Sequence, residues 1–294
     1  MNMSKFSFVI LHYNTIEDTK VCVSSIEDTC KNFEYHIYIV DNASPNKSGG
    51  ELAKNFSQKD KITVIQSEEN LGFAKGNNLG IHQSMKDGFD DFVVVLNSDT
   101  KVLQNDFCEK IEEEYVKSDF SVLGPTIFTP SGKTNINPGR MYIRQGADLD
   151  GLVKRCKKRL FLLKTHLFFL AEAITKLCQS NKKTYVEKQP KYTQNCLLHG
   201  CCLIFSKKYL NEMHGFDPRT FLYYEEEILY LHCMKRGLKT VYSPEIEIWH
   251  KEDGATDSIL KSSRRKRIFI CENVLRSIKV YKEILAEYER GCSC

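Results

Sequence analysis

The first hundred residues alternate between short apolar runs and segments with helical spacing, and this alternation restricts the fold more than any other feature. The strand-like runs are Lys5–Leu11, Tyr35–Val40, Lys61–Gln66 and Phe92–Leu96. Between them, residues 15–29, 50–56 and 74–86 have the spacing or composition of helices. Strands that alternate with helices form βαβ units with parallel strands. The sequence therefore predicts an α/β fold, with a central, mostly parallel sheet flanked by helices.

Each of these four predicted strands is followed by polar or acidic residues. The four strand ends are marked by Asn14, Asp41, Asn70 and Asp99. Open α/β sheets bind ligands at the carboxyl ends of their strands. One polar strand end is uninformative, but four ends on one sheet edge predict a ligand-binding rim.

The rest of the chain continues the mixed pattern. Further helices are predicted over residues 105–117 and 207–213, from Glu225 to Arg236, and over residues 262–289 as one helix or a helix pair. Further strands are predicted over residues 120–129, 197–206, 239–242 and 245–249, the last two separated by Ser243-Pro244.

The cysteines do not indicate a metal module. The chain has 12 of them, without a C-x-x-C pair, so a zinc module is not expected. Cys22, Cys108 and Cys233 occupy apolar positions, where a reduced cysteine packs as a small hydrophobic residue. The polar N-terminus enters a strand directly, so we expect no signal peptide and a reducing cytoplasmic compartment.

Three groups of polar residues could carry chemistry. Asn97-Ser98-Asp99 resembles a D-x-D motif with Asn in the first position, and Mg²⁺ or Mn²⁺ prefer oxygen ligands. Glu225-Glu226-Glu227 opens a predicted helix, where carboxylates either complement the helix dipole or act as a general base. His250 follows the only Trp of the chain at a strand end, which suits either a structural residue or a metal ligand.

Seven motifs, in order along about residues 5–256, together resemble the inverting glycosyltransferases of family 2, and most closely their bacterial rhamnosyltransferase-like branch. The motifs are Val9–Asn14 (VILHYN), Ile39–Ser44 (IVDNAS), Asn70–Asn78 (NLGFAKGNN), Leu96–Asp99 (LNSD), Gly215–Asp217 (GFD), Phe221–Glu226 (FLYYEE) and His250–Ala255 (HKEDGA). The resemblance implies a GT-A fold, a nucleotide-sugar donor (a UDP-, dTDP- or GDP-sugar), a divalent cation and a single displacement at the anomeric carbon. It also implies a glycan or lipid-linked glycan as the acceptor.

The resemblance also assigns roles to residues. Asp41 would bind the base or ribose, and Asp99 would hold the metal, with His250 as a second contact to metal or diphosphate. Glu226 corresponds to the catalytic base, with Glu225 beside it. The family usually has Asp at that position, so the choice between the two stays open. The nucleotide pocket would be lined by His12, Tyr13, Asn14, Asn70, Gly72, Lys75, Asn78, Asn97 and Ser98.

We predict a catalytic domain over residues 1–256 and a helical extension over 257–294. Within the domain, residues 152–188 form a basic insert with ten Lys or Arg against two Glu. Its apolar residues from Leu160 to Leu177 recur every three or four positions, which predicts an amphipathic helix. This helix is either a packed lid or a helix lying on an anionic membrane surface. We favour peripheral contact with the cytoplasmic face of the membrane; nucleic-acid binding is not expected. Arg264–Arg267 is either a second basic contact or a solvated helix face.

Two other classes use a nucleotide site at a sheet edge. A nucleotidyltransferase is one, but the N-terminal region lacks the expected Gly-rich, Lys-bearing phosphate loop. A non-catalytic binder of nucleotide sugars or glycans is the other. The sequence does not indicate the donor sugar, the acceptor, the linkage or the oligomeric state.

Overall fold

The computed structural model describes residues 4–132, 136–165, 191–251 and 263–291. Within them the strands are β1 (Lys5–His12), β2 (Glu34–Asp41), β3 (Ile62–Gln66), β4 (Phe92–Asn97), β5 (Thr100–Val102), β6 (Val122–Phe128), β7 (Thr193–Gln194), β8 (Cys202–Ser206) and β9 (Thr240–His250). The helices are α1 (Ile16–Thr29), α2 (Ser48–Phe56), α3 (Gly72–Lys86), α4 (Phe107–Ser118), α5 (Gly146–Lys164), α6 (Lys207–Met213), α7 (Glu225–Arg236) and α8 (Ser263–Glu289).

The strands form one sheet in the order β3-β2-β1-β4-β8-β6-β9-β5, with β7 paired to β9. Strands β1 to β4 pair in parallel, as do β6 and β9, whereas β8 is antiparallel to both β4 and β6. The carboxyl ends of β1–β4, β6 and β9 therefore lie at the same edge as the amino end of β8. The predicted α/β class with a mostly parallel sheet is confirmed.

Both faces of the sheet are buried, which explains the almost continuous apolar strands. Helices α1, α2 and α4 cover one face, where Phe6, Phe8 and Ile10 of β1 lie. Helices α3, α6 and α7 cover the other face, where Val9 lies. Because successive side chains of a strand point to opposite faces of the sheet, a single strand contributes to the apolar clusters on both faces.

Helix α8 is a single helix that packs against α5 and α7. Ile278 and Tyr281 lie in a cluster with Leu149 of α5 and Leu231 of α7. The apolar stripe of α5 at Leu160 and Leu163 also packs on α8, against Ile268 and Cys271. At Leu160 and Leu163, the apolar stripe predicted for the basic insert therefore packs against another helix of the protein. The rest of the predicted insert lies outside the described residues, and the domain boundary at 256/257 stays a prediction.

Arg264 at the start of α8 closes the end of α5. Its Nε donates a hydrogen bond to the Leu163 carbonyl at 2.7 Å, and its guanidinium also reaches the Thr165 carbonyl. Carbonyl groups in the last turn of a helix lack an intrahelical partner, so this contact satisfies them. Arg264 thus has a packing role, while Arg265 is exposed.

Two strand predictions were wrong. Strand β9 is continuous through Ser243-Pro244. Its pairing with β6 shifts register there, so the residues between Tyr242 and Glu247 form a bulge opposite Pro125. A bulge tolerates proline because the ladder hydrogen bond is absent there. Strand β8 begins at Cys202 instead of residue 197.

The described cysteines are nine free thiols, and Cys22, Cys108 and Cys233 are buried, as predicted. Among the described helices, none combines the length and the apolar character needed to cross a membrane.

Candidate functional site

The sheet register brings the predicted strand ends together. His12 of β1 lies opposite Asp41 of β2, Asp41 lies opposite Gln66 of β3, and Leu11 lies opposite Asn97 of β4. On the far side, His250 at the end of β9 lies opposite Thr100, directly after Asp99. The structure thus forms one polar rim from Asp41 through Asp99 to His250.

Asp41 is buried and held in one orientation at the end of β2. Its Oδ1 accepts hydrogen bonds from the backbone N–H and the hydroxyl of Ser44. Gly49 of α2 leaves room for the other oxygen, because a Cβ there would lie 1.9 Å from Asp41 Oδ2. The loop after β2 and the start of α2 therefore fix this carboxylate.

Asn42 connects the loop after β2 to the start of α3. Its Oδ1 accepts from the Leu71 N–H at 2.8 Å, and its Nδ2 donates to Asn70 Oδ1 and the Gly72 carbonyl, each at 3.1 Å. Asn70 Oδ1 also accepts from the Gly72 N–H. Asn70 and Asn42 therefore shape the rim through contacts within the protein, and the candidate list drawn from the sequence did not contain Asn42.

Gly72 brings α3 against the loop that leads to Glu225. Its φ is +78°, and a Cβ would lie 2.0 Å from the Phe221 carbonyl oxygen, which accepts a hydrogen bond from Phe73 N–H. Only glycine fits such a close approach of backbone to backbone. The start of α3 is thereby linked to the segment that carries the candidate base.

His12 and Asn78 lie behind the rim. His12 is fully buried, with Nδ1 2.7 Å from Thr19 Oγ1 and Nε2 2.7 Å from Ser48 Oγ, and burial lowers its pKa. Asn78 uses both ends of its amide on the backbone of Phe216, each at 2.8 Å. Both residues therefore organise the site from within the protein.

The other predicted nucleotide contacts lie closer to solvent or in the rim itself. Tyr13 and Asn14 are half-buried in the turn after β1, where Asn14 has φ +66°, and Lys75 is exposed on α3. Ser98 is buried, and its hydroxyl lies 3.4 Å from Thr15 Oγ1. Asn97 is half-buried at the end of β4.

Asp99 and His250 form the pair that could hold a cation. Asp99 Oδ1 lies 3.3 Å from His250 Nε2, and both residues are largely buried. His250 Nδ1 is buried without a hydrogen-bond partner among the described residues, so the ring makes its polar contact through Nε2.

This pair fits a divalent cation as two adjacent ligands. Ligands at about 2.1 Å in octahedral geometry lie roughly 3 Å apart, close to the observed separation. Among the described residues, no group of three or more His, Cys, Asp or Glu could hold a metal ion. Groups from outside these residues, such as water or a bound ligand, would therefore have to complete the coordination, as is common for Mg²⁺. The predicted motif residues 252–255 lie outside the described residues.

The three consecutive glutamates at the start of α7 have different environments. Glu227 forms an ion pair with Arg140, whereas Glu226 Oε1 accepts from Gly200 N–H at 3.1 Å and its side chain lines a cavity. Glu225 is 5% exposed. Burial, together with the negative charge of Glu226, raises the pKa of Glu225 to about 8. The geometry therefore favours Glu226 over Glu225 as a base.

A tight turn directs these glutamates. Tyr223 and Tyr224, which precede α7, have φ angles of +70° and +73°. Such left-handed conformations are costly for residues with side chains and persist only where surrounding contacts hold them. Tyr224 is buried and stacks edge-on against Tyr281 of α8. The C-terminal helix thus supports the turn that positions Glu226.

The residues before β8 belong to the rim although the sequence predicted a strand there. Cys201 O accepts from Asn97 N–H, His199 N–H donates to Asn137 Oδ1, and Gly200 N–H donates to Glu226. His199 also lies near His250, with ring centroids 6.1 Å apart. The sequence pattern did not identify His199 and Gly200 as rim residues, because their hydrogen-bond partners lie far away in the sequence.

The sequence model of the family described as Glycosyl transferase family 2 matches residues 7–213, more than half of the chain. The chain belongs to glycosyltransferase family 2. The match ends before α7, so the assignment of Glu226 and His250 depends on their geometry.

A curated relative is the low-salt glycan biosynthesis hexosyltransferase Agl10 from Haloferax volcanii. It is 27% identical over 130 residues, which are 44% of this chain and 39% of that protein. The match therefore spans well under half of the relative.

Solved structures with a similar fold include GalNAc-T7 with UDP, GalNAc and Mn²⁺, with a TM-score of 0.57 at 14% identity over 85% of this chain and 44% of that one. Residues 1–349 of S. aureus TarS give 0.52 at 14% identity over 90% of this chain and 69% of that one. The TarS complex with UDP-GlcNAc has a TM-score of 0.52 at 14% identity, over 84% of this chain and 58% of that one. The expected GT-A fold is confirmed.

Proposed function

We propose that this family 2 protein is an inverting, metal-dependent glycosyltransferase. It would move a sugar from a nucleotide diphosphate to a hydroxyl of a glycan or lipid-linked glycan during the synthesis of a cell-surface polysaccharide. The observation that carries the proposal is the placement of Glu226 beside the rim. Its carboxylate accepts from Gly200 N–H, and the next residue, Cys201, accepts from Asn97 N–H; this short link between the candidate base and the proposed diphosphate site supports the proposal.

The rim residues would divide the work of holding the donor. Asp41, fixed by Ser44 and Gly49, would accept hydrogen bonds from the nucleoside. Asp99 and His250 would hold the divalent cation, which neutralises charge on the leaving diphosphate when it is bound. In support, the GalNAc-T7 structure contains UDP and Mn²⁺, and one TarS structure contains UDP-GlcNAc.

Glu226 would take the proton of the acceptor hydroxyl. Gly200 N–H donates to Oε1, and Oε2 would take the proton. The acceptor oxygen forms a bond to the anomeric carbon as the bond to the diphosphate oxygen breaks, and the proton passes to Glu226. Attack from the face opposite the diphosphate inverts the configuration. Glu225, whose pKa is about 8, stays mostly protonated at neutral pH.

The test is a panel of UDP-, dTDP- and GDP-sugars, including dTDP-rhamnose, assayed for thermal stabilisation and transfer with Mn²⁺ or Mg²⁺. We expect Glu226→Gln to lower transfer at least ~100-fold while donor binding is retained. Asp99→Asn should remove the metal-dependent part of donor binding. Glu225→Gln is the matched control and should retain most of the transfer activity. Wild-type transfer by Glu226→Gln would show that the base assignment is wrong.

We also propose that α5 meets an anionic membrane with its basic side. Lys154, Lys157, Lys158 and Arg159 are exposed, as is Phe161 at 63%. Because the apolar stripe packs on α8, contact would depend on charge and on Phe161. Flotation with liposomes containing phosphatidylglycerol should recover wild-type protein and less of a Lys157→Glu/Lys158→Glu variant. Equal recovery at low salt would contradict the proposal.

A further inference from the structure

Two cysteines from distant parts of the chain meet on the face of the sheet that α1, α2 and α4 cover. Cys30 directly follows α1, and Cys108 lies in the first turn of α4. Their sulfur atoms are 3.5 Å apart, although 78 residues separate the two positions in the sequence. Both side chains are buried, with 0% and 1% of their surface exposed. The fold therefore holds two thiols in direct contact.

The position of Cys30 lets this pair come closer together. A disulfide bond has a sulfur–sulfur distance of about 2.05 Å, so the two sulfurs must approach by about 1.5 Å. Cys30 lies at a helix end and is followed by the exposed residues Lys31 and Asn32. Helix ends open more readily than helix interiors. The end of α1 can therefore shift by this amount and admit a small reagent.

The two thiols differ in reactivity. The Cys108 S–H donates a hydrogen bond to the Cys30 sulfur. This hydrogen bond lowers the pKa of Cys30 against the opposing effect of burial, and it raises the pKa of Cys108. The thiolate is the form that attacks a disulfide. Cys30 therefore reacts first, and Cys108 follows.

We propose that Cys30 and Cys108 form a reversible disulfide when the protein meets a small-molecule disulfide such as oxidised glutathione. The Cys30 thiolate attacks one sulfur of the reagent and releases the first glutathione as a thiolate. Cys108 then gives its proton to water and attacks the Cys30 sulfur of the mixed disulfide, which releases the second glutathione. Two protein thiols lose two electrons and two protons, and the reagent takes them up as two molecules of glutathione.

The disulfide joins α1 to α4 away from the polar rim. The 14 residues of α1 extend for about 20 Å between the rim and Cys30. A crosslink between positions far apart in the sequence restricts the unfolded chain and so stabilises the fold. In a reducing compartment the glutathione pool keeps such a pair as thiols. The pair is therefore a site of oxidative modification that adds stability and leaves the rim unchanged.

The experiment uses the full chain, which is reduced, freed of reductant and incubated with oxidised glutathione. The remaining thiols are then blocked with N-ethylmaleimide. Digestion with trypsin and a Glu-specific protease separates Cys22 from Cys30 at Glu27, so mass spectrometry identifies a Cys30–Cys108 pair of peptides. We expect this pair to be the main disulfide and to disappear with dithiothreitol. The oxidised protein should melt roughly 5 °C or more above the reduced protein.

Variants assign the shift to these two thiols. Cys30→Ala and Cys108→Ala should each abolish it, whereas Cys156→Ala, which removes a partly buried thiol of α5, should keep it. Recovery of both cysteines of the wild type as blocked thiols or as glutathione adducts would overturn the inference, as would crosslinked protein that melts no higher than reduced protein. Both readouts come from wild-type protein without a nucleotide sugar, so they are independent of the proposed function.

Discussion

Replacing Glu225 with Gln tests whether a buried, protonated carboxyl lies beside Glu226. Burial and the charge of Glu226 raise the pKa of Glu225 to about 8, against 4.5 for the unperturbed group. Between these values the folded state binds more protons than the unfolded state, so stability must fall as pH rises. The contribution is fully present below the unfolded pKa and is lost progressively toward pH 8.

The two pKa values set the size of the effect. For one group the free energy of unfolding should fall by about 2.5 kcal/mol between pH 5 and pH 7, approaching 1.4 kcal/mol per pH unit in the middle of the range. Glutamine is neutral at every pH and has nearly the same shape. Between pH 5 and pH 7, the free energy of unfolding of Glu225→Gln should therefore rise by about this amount relative to that of wild type.

Urea unfolding at pH 5, 6 and 7, in one buffer at constant ionic strength, measures the difference. Glu113→Gln, at an exposed position of α4, corrects for the general effect of removing one carboxylate. Parallel stability curves for wild type and Glu225→Gln between pH 5 and 7 would refute the reasoning. Glu225 would then be ionised in the folded protein and would regain its place as a candidate base.

Further predictions concern the scaffold of the site. Gly49→Ala forces a Cβ to within 1.9 Å of Asp41 Oδ2, so we expect a loss of about 1–3 kcal/mol and at least tenfold weaker binding of UDP by calorimetry. Gly50→Ala is the matched control, because its Cβ has no heavy atom closer than 4.0 Å; its stability should rise slightly. Asp217→Asn weakens hydrogen bonds from His232 and Arg219 and should lower stability by about 2 kcal/mol in urea. Burial raises the Asp217 pKa, but these hydrogen bonds lower it overall. The stability difference between wild type and Asp217→Asn should therefore shrink as pH falls below about 4. A difference that stays constant with pH would contradict this.

Local patterns were sufficient to predict the rim. Strand β4 is apolar because both faces of the sheet are covered, and its polar end at Asn97–Asp99 lies at the edge, where water or ligand is available. The same reasoning placed Asp41 correctly at the end of β2. Strand polarity and side-chain period are properties of a few consecutive residues, so they can be read without a structure.

Other features depended on contacts between distant residues. The direction of β8 could not be predicted from its composition, and that direction brings His199 and Gly200 to the rim. Their N–H groups bond to Asn137 and Glu226, 62 and 26 residues away. His12 has the position of a rim residue in the sequence but turns inward to Thr19 and Ser48.

The three glutamates of α7 show most clearly which features the sequence determines and which only the tertiary structure decides. Their sequence determined that carboxylates would follow an aromatic turn at a helix start, but not which of them would face the cleft. Consecutive residues of a helix point about 100° apart, and the rotation of α7 is set by packing Ile228 and Leu231 against α5 and α8. Because that packing joins segments far apart in the chain, only the tertiary structure could assign Glu225 to the interior, Glu226 to the cavity and Glu227 to an ion pair.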